Sequence, residues 1–150
     1  MLPPDTNHIL NRVLAVLCKS FPQYIRYSRP YIPRSRQEVL DTLEEIANDQ
    51  TVLAERISQQ VAEAGGLPQL GNFPMEFTDT HDLSINHLLR EAIRYQREEI
   101  ATLEACRDKL SFAPTARALV EEAVGMAKGH LESLLELPAN GAPKQPAVVG

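Results

Sequence analysis

The sequence predicts an all-α protein whose four helices pack as one bundle. Three observations carry that reading. Apolar residues recur at three- and four-residue steps in four long segments. Proline, glycine and capping residues punctuate the gaps between them. The length, 150 residues, suits one domain built around one core.

The first segment covers about 6–28, where Leu10, Val13, Leu14, Leu17, Phe21 and Tyr24 make one stripe. Asp5 or Thr6 is placed to cap its start. Pro22 is expected to kink it near Cys18, and Arg29-Pro30-Tyr31-Ile32-Pro33 ends it. The second segment, about 36–64, opens on Ser35-Arg36-Gln37-Glu38, the spacing of a capping box. Val39, Leu43, Ile46, Gln50, Leu53, Ile57 and Val61 form its stripe, and Gly65-Gly66 with Pro68 stops it.

Residues 67–80 lack periodicity and carry Pro68, Gly71 and Pro74, which reads as a long ordered connection. His81-Asp82 then opens a third helix over about 81–110, with Thr78, Asp79 or Thr80 as its cap. Its stripe is Ile85, Leu89, Ile93, Gln96, Ile100, Leu103 and Leu110, flanked by Leu88, Ala92, Glu99 and Cys106. After a turn at 111–113, Pro114 suits the first position of a fourth helix over about 114–137. There Leu119, Ala123, Met126, His130, Leu134 and Leu137 are expected to face inward. The bundle is thus assigned to 1–138, and 139–150, rich in Pro, Gly and Ala, to a disordered tail.

Connection lengths constrain topology. The first and last gaps are short, so each joins an antiparallel helical hairpin. The middle link, about 14 residues, spans roughly 45 Å when extended. A helix of about 28 residues is roughly 42 Å long. The link can therefore carry the chain along the bundle and start the third helix parallel to the second.

A net charge of −5 disfavours non-specific binding to nucleic acid or an anionic membrane. Aromatics at 5% and the absence of Trp leave few stacking platforms for bases. There is no basic segment followed by an apolar leader, and no apolar run near ~18 residues. The expectation is a cytoplasmic protein with no nucleic-acid or membrane partner. Cys18 and Cys106 lie apart, outside any CxxC spacing, and read as reduced core thiols.

Several short patterns resemble the ferritin-like superfamily, and bacterioferritins most closely. They are Leu10-Asn11, Leu14 and Gln23-Tyr24 in the first helix, then Leu53, Glu55-Arg56-Ile57 and Gly66-Leu67-Pro68 in the second. Gly129-His130-Leu131 and Leu134 follow in the fourth. The resemblance runs from about Thr6 to Leu137 and implies two antiparallel hairpins joined by a long crossover. Di-iron proteins of this class use a Glu from each of two helices and a Glu-x-x-His from each of the other two. Two hard cations in an apolar bundle require those anionic oxygens. Transferred residue by residue, the first-helix Glu falls on Leu17 and the second-helix pair on Ile46 and Asp49. The third-helix Glu falls near Arg94, with Glu91 or Glu98 reached by a small slip, and the fourth-helix pair falls on Ala127 and His130. The haem-ligating Met falls on Ala47, and the Pro-rich tail suits no fifth helix. The resemblance therefore implies a relative without the di-iron centre, haem or cage, acting as a binding or structural module, with a homodimer expected by analogy.

The residues leave other chemistry open. Tyr24, Gln50, Gln96 and His130 put polar groups on four inward stripes and are candidates to converge on a small ligand or a water. The plainer reading is a buried network that fixes helix register. The alternative is a metal-binding ferritin-like protein or an oxidoreductase whose relocated site for iron or another divalent metal draws on His130, Asp49, Glu99, His87 and Glu91, the last two sharing a face at i,i+4. One histidine without carboxylates makes a poor metal site, and His87 with Glu91 equally describes a solvated surface. Arg26, Arg29, Arg34 and Arg36 gather with three tyrosines around the first turn, a candidate contact for an anion or an acidic partner.

Overall fold

The computed structural model describes residues 4–80 and 84–139. Among the described residues the chain forms five α-helices and no strand: α1 (Pro4–Cys18), α2 (Phe21–Ser28), α3 (Gln37–Glu63), α4 (Ile85–Asp108) and α5 (Pro114–Leu135). Short 3-10 turns occupy Arg34–Arg36 and Met75–Thr80.

The expected first helix is two helices. Ser20 is extended (φ −72°, ψ 167°), and its hydroxyl accepts the Gln23 N–H at 3.3 Å. Pro22 thus sits in the opening turn of α2, where its missing N–H has no partner to lose. It begins a helix rather than kinking one. Because α1 already begins at Pro4, Thr6 lies inside it and is buried, so it is not the cap. The capping box is also not formed. Arg36 precedes α3 without a side-chain cap, and Glu38 instead pairs with the Arg36 guanidinium at 3.0 Å. α4 begins later than expected. Ser84 caps it by accepting the His87 N–H at 3.3 Å, while Thr78 donates to the Met75 carbonyl inside the 3-10 turn. His81 and Asp82 lie outside the described residues, as does the tail from residue 140 onward.

Cross-helix bonds give the helix directions. Advancing from Ser20 to Arg26, the partners on α3 are Gln50 and then Asn48, while Asn11 upstream bonds Leu67 and Gln69 just beyond α3. α1 and α2 therefore run against α3. Arg56 with Glu122 and Asp49 with His130 set α5 antiparallel to α3. Arg36 with Asn86 and Gln50 with Glu99 set α4 parallel to α3, across the core from it. The link after α3 consequently travels along α1 and α2. At Gly71 (φ 73°) it passes so close to α1 that an added Cβ would lie 2.8 Å from the Ala15 methyl. Phe73 then stacks near Tyr24 and Tyr27, at 5.4 and 5.7 Å, and Phe77 enters the core beside Phe21 and Tyr95.

Two apolar clusters fill the interior. One joins α1 to the second half of α3, the end of α4 and most of α5, through Leu10, Leu14, Leu17, Ile57, Leu103 and Val120. The other joins α2 to the first half of α3 and the start of α4, through Phe21, Ile25, Leu43, Ile46, Phe77 and Leu89. The α1 and α3 stripes are buried as expected. On α4 the buried face is rotated toward Leu88, Ala92, Glu99 and Cys106, leaving Ile85 and Ile93 half-buried. On α5 it runs through Ala116, Val120, Ala123, Val124 and Ala127, with Leu119 and Met126 half-buried, as is Leu137 just beyond the helix. α4 touches both α5 and α1, so its inner face points between them rather than at one neighbour. Cys106 is buried, Cys18 is half-buried, and both are free thiols. No described helix is long and apolar enough to cross a membrane.

Candidate functional site

A polar layer separates the two apolar clusters. Ser20, at the α1–α2 break, donates to Gln50 Oε1 at 2.7 Å. Gln50 lies on the inward stripe of α3 and is fully buried, and its amide donates to Glu99 Oε1 at 3.2 Å. Glu99 lies on α4, and one turn earlier on that helix Gln96 donates to Glu99 Oε2 at 3.2 Å and to the Ala127 carbonyl of α5 at 3.0 Å. One chain of hydrogen bonds thereby links α2, α3, α4 and α5 through the centre of the molecule. Burial pushes the Glu99 carboxyl up to about 8, and the two amide donors only partly oppose it. Near neutral pH the layer therefore holds mostly a protonated carboxyl.

His130 belongs to a second, outer pair. Its Nε2 lies 2.9 Å from Asp49 Oδ2, and Asp49 itself is largely exposed. With the ring neutral and its proton on Nε2, the imidazole donates to Asp49. The buried Nδ1 then has no donor among the described residues. A further set ties α2 to α3. The Gln23 amide donates to the Ala47 carbonyl (2.9 Å) and to Thr51, and Arg26 donates to Asn48, Gln23 and Thr51.

Of the four residues expected to converge, the structure brings Gln50 and Gln96 together on Glu99. His130 is joined to Asp49, and the ring of Tyr24 packs in the aromatic cluster with Phe73 and Phe77. The alternative metal ligands divide likewise. His130 and Asp49 form one pair, and Glu99 is held by amides. His87 and Glu91 stand 3.8 Å apart on an open face, where Arg94 takes Glu91 and Glu98. Among the described residues no three His, Cys, Asp or Glu side chains gather as a metal-binding group.

Apart from Arg94, the positions onto which the resemblance transfers acidic and haem ligands are apolar. Leu17, Ile46 and Ala127 are fully buried hydrocarbon, and so is Ala47 at the haem-ligand position. The single buried carboxyl among the described residues, Glu99, is approached by N–H groups from two amides. Their positive ends point to where a cation would sit, so these donors disfavour a metal there.

Ser20, Gln23 and Thr51 were not singled out as site residues by sequence. Ser20 was detectable as a helix-capping residue two places before Pro22. Arg36, expected with Arg26, Arg29 and Arg34 at a contact for an anion or an acidic partner, is turned inward instead. It is buried, and it reaches Asn86 (3.1 Å) and the Pro138 carbonyl (2.6 Å), which ties the start of α3 to α4 and to the chain beyond α5.

Comparison with known protein families, with curated proteins and with solved structures finds no match.

Proposed function

We propose that this chain is a ferritin-like four-helix bundle without a di-iron centre, acting as a binding or structural module rather than a ferroxidase, haem protein or iron store. In this reading α1 and α2 together form the first helix, and the link after α3 is the long crossover. The helix directions support it: α1 with α3, and α4 with α5, make two hairpins whose middle helices run parallel. The observation that carries the functional half is Glu99. Among the described residues it is the one buried acid, its oxygens accept from Gln50 and Gln96, and hydrocarbon stands at Leu17, Ile46 and Ala127. Such a centre fixes packing, and the amide N–H groups turned toward it oppose a cation there.

Elemental analysis of protein purified from iron-supplemented cells tests this. The expected result is iron well below one atom per chain, and two tightly held irons per chain would overturn it. By analogy with the family, we take the working form as a homodimer. Light scattering that gives a monomer at micromolar concentration would remove that part alone.

A further inference from the structure

A cleft of about 350 Å³ opens between α2 and the first half of α3, and no residue of the Glu99 layer lines it. Its size falls at the lower edge of small-ligand sites, roughly 300–1,000 Å³. The floor is hydrocarbon from Pro22, Ile25, Pro30, Leu40 and Leu43, of which Ile25 and Leu43 are anchored in the core. Arg26 and Arg29 stand at its lip, opposed by Glu44.

At that lip two guanidinium groups face one carboxylate. Among the described residues neither Arg26 nor Arg29 is paired with a carboxylate. The oxygens that Arg26 meets, on Asn48, Gln23 and Thr51, are neutral. They hold the guanidinium in place without cancelling its charge, which is the arrangement that favours an arriving anion. Arg29 adds a second observation. It closes α2 in the left-handed conformation (φ 48°, ψ 62°), where its N–H bonds the Ile25 carbonyl. Glycine takes that position with less strain. Here the chain carries an unpaired cation instead, on a protein whose net charge is −5.

We propose that this cleft binds a small amphipathic organic anion, its apolar body on Ile25, Leu40 and Leu43 and its carboxylate or sulfonate on Arg29 and Arg26. The inference goes beyond the metal-free reading and stands independently of it, since no residue of the Glu99 layer lines the cleft.

Anilinonaphthalene sulfonate, titrated into the full-length chain at low salt and followed by fluorescence, is the probe. We expect saturable binding at one site per chain, displaced by decanoate and not by decanol. Arg29→Gly weakens binding on the order of tenfold, the scale of one charge-assisted hydrogen bond. Its thermal midpoint is expected to stay level or rise, which shows that the fold is intact. Glu44→Gln removes the opposing charge and tightens binding. No saturable signal, equal displacement by decanol, or unchanged affinity in a folded Arg29→Gly protein would each overturn the proposal.

Discussion

Replacing Glu99 by Gln should flatten the dependence of stability on pH. The carboxyl has an ordinary value of 4.5 and is raised to about 8 in the folded protein, chiefly by burial. Between those two pH values the native state keeps a proton that the unfolded chain has lost. The unfolded state then binds fewer protons, so unfolding becomes easier as pH rises. The contribution is fully present below pH 4.5, falls across the window to about 8, and is gone above it. At about 1.4 kcal/mol per pH unit, the whole span is on the order of 5 kcal/mol. That is a large part of the net stability of a small domain, about 5–15 kcal/mol.

Glu99→Gln has nearly the same shape and cannot ionise. Urea unfolding followed by far-ultraviolet circular dichroism, at steps from pH 5 to pH 8.5, isolates the effect by difference from wild type. Other titrating groups are common to both proteins and cancel. At pH 5 the two should agree within about 1 kcal/mol, the scale of one rearranged hydrogen bond. By pH 8.5 the variant should be the more stable by several kcal/mol. Parallel profiles across the window would show that Glu99 ionises as an ordinary carboxyl, and the account of a sealed polar layer would fail.

Ser20→Ala removes the cap of α2 and the donor to Gln50 together, and should cost about 1–3 kcal/mol by urea unfolding. Gly71→Ala places a methyl against Ala15 at a positive φ and should destabilise by about 1–3 kcal/mol, whereas Gly125→Ala, in the open on α5, should stabilise by about 0.5–1 kcal/mol. Thermal midpoints moving in opposite directions would check the pair. Arg36→Met deprives the Asn86 and Pro138 oxygens of their donor, and should lower stability by about 2–4 kcal/mol with loss of protection in hydrogen exchange at the start of α4.

The sequence was most informative where one helix face meets one interior. Every residue of the Val39-to-Val61 stripe is buried, and so are Leu10, Val13, Leu14 and Leu17. It was less so wherever a second partner intervenes. Pro22 read as a kink because periodicity continues through it, and only the extended Ser20 reveals a new helix start. Glu38 spaced from Ser35 looked like a cap, yet a buried guanidinium outcompeted the amide for it. Glu99 stood on the flank of its stripe, where helical spacing alone does not distinguish a buried acid from a solvated one. Tyr24 seemed a mid-bundle hydroxyl because nothing in an aperiodic link foretells that Phe73 and Phe77 will be laid over α2.

The polar layer also bears on why one arrangement of these helices is chosen. Leu and Ile at three- and four-residue steps pack nearly as well after a slide of one turn, about 5.4 Å. The link after α3 is long enough to permit such a slide. Hydrocarbon alone therefore leaves the register of α4 against α3 weakly determined. Glu99 removes the ambiguity. Moving α4 by one turn would withdraw its carboxyl from Gln50 and take Gln96 from the Ala127 carbonyl, leaving buried polar groups unpaired. Each such loss costs about 1–3 kcal/mol, more than the displaced apolar contacts recover by finding similar neighbours. The amides that repel a cation are thus the same groups that hold the parallel pair of helices in step.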